Sequence, residues 1–157
     1  MHPFRLRLEA RDWFRDLREQ KMFKIDFDAF YFCFIAGIAV RRKKSVQNDE
    51  TAELTAYFPD KYGPRGKILV GIFLKSELRE LGVSMKERRD VHSAIASLVT
   101  PNARNFLSEE GVREFNKYAH GGYEQLIEWF EDRPRSLATF LRGFRLKIEQ
   151  EMITPDN

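Results

Sequence analysis

Three histidines, one cysteine and a few clusters of carboxylates and cations are the chemical repertoire of this sequence, and their spacing limits what they can do. His92 lies in Arg88-Arg89-Asp90-Val91-His92, one position off an apolar run, and His120 directly precedes Gly121-Gly122. An imidazole at such a helix end can bond the last carbonyls. His2 stands at the chain terminus, where order is usually least. No two of these share metal-ligand spacing with each other or with Cys33, and HExxH is absent, so neither a metal nor a cofactor is expected. Cys33 sits between Phe32 and Phe34, where a thiol behaves as a small hydrophobe. Gly63-Pro-Arg-Gly66 before Lys67 lacks the G-x-x-x-x-G-K-[ST] spacing of a phosphate loop, and Pro64 removes a donor, so a turn is expected. No serine occupies a G-x-S-x-G context, and Glu109/Glu110 and Glu131/Asp132 fall where helix ends favour acids. No catalytic residue emerges, and the chain reads as non-enzymatic.

Arg88 and Arg89 precede His92 by three and two intervening residues. The HEPN ribonucleases carry an Arg and a His further apart on their helix, so this spacing is better explained as an ordinary helix surface. A nuclease or toxin subunit is therefore the third reading in order of preference. Cations offer more. Arg41, Arg42, Lys43 and Lys44 leave an apolar segment as one run, suited to phosphate contacts that carry affinity without sequence readout. Arg135, beside Arg133 and Pro134, forms a second cluster with Arg142 and Arg145. For both, the plain alternative is a solvated helix flank. Tyr57, Tyr62 and Tyr123 are the aromatics that could stack on bases, although packing at a core rim explains each equally well.

The element that must organise these residues is Phe27 to Val40, in which Asp28 is the one charged residue. It is hydrophobic all round, the pattern of a helix enclosed by others, and shorter than the roughly 20 residues a bilayer crossing needs. Asp26 or Asp28 can cap its first turn, and the cations after Val40 suit the dipole at its last. Before it, Phe4, Leu6 and Leu8 alternate with Arg5 and Arg7 as an extended lead-in, and Ala10, Trp13, Phe14 and Leu17 mark a helix from Glu9 to about Gln20. After it come a loop at 41–50, a short helix from Glu50 to Phe58, and a breaker-rich loop at 59–66. Lys67 to Leu81 reads as a helix closed by Gly82. Ser84-Met-Lys-Glu87 is a capping box opening a helix with Val91, Ala94, Ile95, Leu98 and Val99 inward. A further helix opens at Ser108 and is expected to end at Gly121-Gly122. Tyr123, Leu126, Ile127 and Phe130 then form their own amphipathic run. The last helix, capped by Ser136, turns Leu137, Phe140, Leu141, Phe144 and Ile148 inward and Arg142, Arg145 and Lys147 outward, before Thr154 to Asn157 fray. The fold class is all-α: a single domain over 1–157, an orthogonal bundle of about seven helices around a buried central helix at 28–40.

With 157 residues, 43% hydrophobic and fourteen Phe, the chain can build a core without disulfides or metal. The single cysteine and the absence of a signal-peptide pattern at the N-terminus favour a cytoplasmic location and no membrane partner. Net charge is +3 but uneven: eleven Lys/Arg against six Asp/Glu in residues 1–47, eleven against fifteen in 48–132, and five against three in 133–157. Basic ends around an acidic middle would polarise the surface if the ends met.

The opening Leu6-Arg-Leu-Glu-Ala-Arg-Asp-Trp-Phe-Arg-Asp-Leu17, followed by Phe27-Asp-Ala-Phe-Tyr-Phe-Cys-Phe-Ile-Ala-Gly-Ile-Ala39, resembles DndE, the small subunit of bacterial DNA phosphorothioation systems. The resemblance covers about the first 45 residues; the Thr-Gly turn of that family is replaced by Met22-Phe-Lys-Ile-Asp26, and the C-terminal part is unmatched. It implies an all-helical, oligomerising protein that binds the backbone of double-stranded DNA through basic residues and works beside catalytic subunits of the same system. Arg41, Arg42, Lys43, Lys44, Arg135, Arg142 and Arg145 are the residues expected to make those contacts. The alternative is a protein–protein adaptor with no nucleic-acid role, its charge serving to dock an oppositely charged subunit.

Overall fold

The computed structural model describes residues 2–153, so the expected fraying of Thr154 to Asn157 lies outside the described residues. Among the described residues, seven α-helices and one small sheet make the fold mostly α: β1 Arg5–Arg7, α1 Leu8–Trp13, α2 Arg15–Glu19, α3 Asp26–Val40, β2 Thr51–Glu53, α4 Gly63–Glu80, α5 Arg88–Leu98, α6 Glu109–Trp129 and α7 Leu137–Ile153. Two compact units can be distinguished. One comprises the described residues of Met1–Phe4 with Thr55–Asn116; the other comprises Arg5–Leu54 with the described residues of Lys117–Asn157.

In the larger unit, β1 pairs antiparallel with β2, setting Arg5 opposite Glu53 and Arg7 opposite Thr51. The stretch expected to be a helix from Glu50 to Phe58 is therefore a 3-10 turn at Asn48–Glu50, a strand, and irregular chain. Local composition favoured a helix, but the lead-in strand supplies the ladder partners that decide otherwise. The helix expected from Glu9 to Gln20 is two helices, broken at Phe14, whose φ of −90° and ψ of 10° leave the helical range. The break turns Phe14 fully into the core, where its ring meets Phe23 at 5.2 Å and Phe140 at 5.4 Å, with Trp13 edge-on at 4.8 Å.

Helix α3 is enclosed as expected: none of its residues is exposed, and Phe27, Ala29, Phe30, Cys33, Phe34 and Ala36 are buried. Its N-cap is Ile25; Asp28 reaches back to accept the N–H groups of Lys24 (3.0 Å) and Ile25 (3.3 Å), while Asp26 pairs with Arg11 and Arg18. At its far end Arg41 adopts a left-handed conformation (φ 56°), and the Arg42 N–H closes onto the Gly37 carbonyl at 2.9 Å, a Schellman stop made without glycine.

Helix α6 runs straight through Gly121-Gly122, so the expected end there and the separate run after it are both corrected. These glycines serve close approach. A Cβ on Gly122 would lie 1.5 Å from the Cys33 carbonyl oxygen, one on Gly121 would lie 2.3 Å from that of Arg42, and one on Gly37 would lie 2.0 Å from that of Tyr118. Backbone meets backbone between α3 and the second half of α6, and any side chain at those points would part them. Phe140 and Phe144 of α7 pack on Phe32 of α3, each with ring centroids 5.1 Å apart. Leu141, expected inward, is 40% exposed.

In the smaller unit, Phe4, Phe58, Phe73 and Phe115 form the aromatic centre, with Phe4–Phe58 at 5.0 Å and Phe73–Phe115 at 5.2 Å. Gly63–Gly66 are already the first turn of α4, after a 3-10 turn at Asp60–Tyr62, so 59–66 is not a continuous loop; Pro64 fits the first turn, where its missing donor costs nothing. Gly82 (φ 70°) ends that helix as expected, with Val83 N–H on the Leu78 carbonyl at 2.9 Å. Ser84 does not cap α5. Its residues form a turn, and the helix starts four residues later at Arg88, with Leu98 buried and Val91, Ala94 and Ile95 half-buried. Ser108 does cap α6, its hydroxyl accepting the Gly111 N–H at 3.0 Å.

Candidate nucleic-acid interface

The run Arg41 to Lys44 leaves α3 at its left-handed stop and is held against α6 by the Lys44 N–H, which donates to the Lys117 carbonyl at 3.0 Å. Arg41 and Lys44 are exposed; Arg42 and Lys43 are half-buried. The expectation of four solvated side chains on a flexible loop is thus corrected for two of them. Arg42 donates to Glu124 at 3.1 Å and to Gln125 at 3.3 Å, and pairs with Glu128 at 2.9 Å. Lys43 holds its ammonium 5.2 Å from the centre of the Tyr118 ring. Glu124 also accepts from Arg7 at 3.2 Å and lies 3.6 Å from Lys44, so three cations converge on one carboxylate. Burial alone would raise that carboxyl, but the Arg7 hydrogen bond and the charges of Lys44, Arg42 and Arg7 outweigh it and hold Glu124 below the usual carboxylate range.

This arrangement also sets cations of the basic N-terminal part against carboxylates of the acidic middle. Glu124 and Glu128 of the acidic middle are one helical turn apart on α6, and the basic end folds onto them. Arg7, Glu124 and Glu128 had not stood out in the sequence; the i, i+4 acidic pair was visible there, but nothing local named its partner.

The second cluster surrounds the start of α7. Arg135 is exposed, and its carbonyl accepts Gln20 Nε2 at 2.9 Å; neighbouring Arg133 lies 3.5 Å from Asp16. Ser136 caps the helix, its hydroxyl accepting the Thr139 N–H at 3.3 Å. Arg142 is exposed, and Arg145, 81% exposed at its side chain, pairs along the helix with Glu149 at 2.8 Å.

The three candidate stacking tyrosines are occupied. Tyr62 is buried, Tyr123 is buried under the Arg7 guanidinium at 5.0 Å, and Tyr57 lies 3.9 Å beneath the guanidinium of Arg104. His92 is exposed and His2 pairs with Glu109 at 3.1 Å. His120 is buried in α6 with Nδ1 lacking a hydrogen-bond partner, and burial, reinforced by the positive charges of Arg7 and Arg5, lowers its pKa to about 4. Cys33 is fully buried, and burial pushes its thiol well above the usual range. Among the described residues, no group of three or more His, Cys, Asp and Glu is placed to hold a metal ion, and no helix is long and apolar enough to cross a membrane. No protein-family model, no curated protein and no solved structure matches this chain.

Proposed function

We propose that this protein is a non-enzymatic accessory subunit that contacts the phosphate backbone of double-stranded DNA, working beside other subunits of a bacterial DNA-modification or phage-defence system. The observation that supports this reading is that five of the seven candidate cations, Arg41, Lys44, Arg135, Arg142 and Arg145, keep exposed side chains in the larger unit. Such contacts are independent of base sequence and release counterions. Five of them imply a log–log salt dependence of about −4.5, from ~0.9 per phosphate.

The second reading, a protein–protein adaptor without nucleic-acid binding, is favoured by the turn of Arg42 and Lys44 onto Glu124. Fluorescence anisotropy of a short duplex at several salt concentrations separates the two. The DNA reading expects binding at low salt, and Arg142→Gln with Arg145→Gln should flatten the slope by about 2. Absence of binding by the unaltered protein at low salt would overturn it in favour of the adaptor.

A further inference from the structure

Helix α4 carries a face that its own fold leaves uncovered. Arg65, Ile68, Ile72, Lys75 and Arg79 follow one another at spacings of three, four, three and four, and all are exposed; Ile68 is 63% and Ile72 36% accessible. At 3.6 residues per turn they fall within an arc of roughly 80° and extend for about 21 Å. The opposite face is the packed one, with Leu69, Val70, Phe73 and Glu77 buried. A 3-4 alternation is the spacing with which one helix keeps another in register along its length.

Gly71 lies beside the two isoleucines. It has helical backbone and nothing within 4 Å of where a Cβ would stand, unlike the glycines of α3 and α6. Glycine is a poorer helix former than alanine, and none of the described residues comes close enough to call for it there. A missing side chain next to exposed apolar residues is what lets a partner backbone come close.

The charges select the partner. Along the stripe the isoleucines are central and the ends are cationic, Arg65 at one and Lys75 and Arg79 at the other, with no carboxylate in line. On a helix lying in a lipid surface, cations border the apolar stripe on its polar side. Here they stand in line with it, which suits a rod-like partner of the same length.

We propose that this face of α4 docks a helix of a partner protein that is apolar at the middle of its contact stripe and acidic at both ends. The inference is independent of the DNA reading. The probes are a synthetic helical peptide of about 20 residues with Leu at four central seam positions and Glu at the flanking ones, and the same peptide with Lys replacing those Glu. The acidic peptide is expected to bind the full chain at least about tenfold more tightly than its Lys counterpart. Ile68→Ser with Ile72→Ser should weaken it about tenfold or more, while circular dichroism stays unchanged because both side chains are exposed. Gly71→Ala should weaken binding severalfold while the melting temperature holds or rises, a divergence that misfolding cannot produce. Equal affinity for the two peptides, or no binding of either at about 1 mM, overturns the proposal. Binding of phosphatidylserine vesicles that the double serine variant abolishes, without peptide binding, reassigns the face to a lipid surface.

Discussion

Replacing Gly122 with alanine adds a single methyl group where, among the glycines of the described residues, a Cβ would come closest to a neighbour. That methyl would sit 1.5 Å from the Cys33 carbonyl oxygen, 2.6 Å from its carbon and 2.7 Å from the Gly37 nitrogen. All three are backbone atoms of α3, so no rotamer change relieves the clash. Reaching an ordinary 3.4 Å contact requires α3 and α6 to part locally by roughly 2 Å. Overpacking typically costs 1–3 kcal/mol, and here the displaced atoms belong to a helix buried along most of its length, so about 3 kcal/mol or more is expected. Alanine's better helix propensity returns only about 1 kcal/mol. The net loss is about 2 kcal/mol or more, and for a chain of this size the melting temperature should fall by at least about 4–8 °C. Gly71→Ala is the matched control: it has the same chemistry and the same propensity gain, with open space around the new methyl. It should raise stability by about 0.5–1 kcal/mol. Thermal melts of both variants by circular dichroism decide the matter. If Gly122→Ala melts at or above the unaltered protein, the close backbone contact between α3 and α6 is not as described.

Arg42→Gln removes the contacts to Glu124 and Glu128 and should cost about 1 kcal/mol, whereas Arg41→Gln at the exposed stop should change stability by less than about 0.5; denaturant midpoints compare them. Glu128→Gln frees part of the Arg42 guanidinium, so under the DNA reading duplex affinity should rise at low salt and the salt slope steepen by about 0.9, measured by the same anisotropy titration. His120 titrates at about 4 when folded and near 6.5 when unfolded, so the unfolded state binds the proton first as pH falls. Its contribution is complete above pH ~6.5 and is lost as pH drops toward ~4. Between pH 7 and 5 that loss is about 2 kcal/mol, and His120→Leu should remove it, seen as a smaller pH dependence of the denaturation midpoint.

Much of the helical architecture was legible in the sequence, because periodicity and end signals act over a few residues. The apolar segment from Phe27 to Val40, the stop at Gly82, the caps at Ser108 and Ser136, and the helix across Lys67 to Leu81 are all local facts, and the structure repeats them. Where the outcome depended on a distant neighbour, local signals pointed elsewhere. Gly121-Gly122 reads as a helix end when only its own flexibility counts; it continues the helix because Cys33 and Arg42 place backbone where any side chain would stand. Thr51–Glu53 extends because Arg5–Arg7 offers a ladder 46 residues away. The candidate interface divides along the same line. The identity and clustering of Arg41 to Lys44 belonged to the sequence, but only the tertiary structure set Glu124 and Glu128 under Arg42 while leaving Arg41 at the surface. Coulomb attraction acts through space, and the spacing of residues along the chain carries no record of which carboxylate a cation will meet.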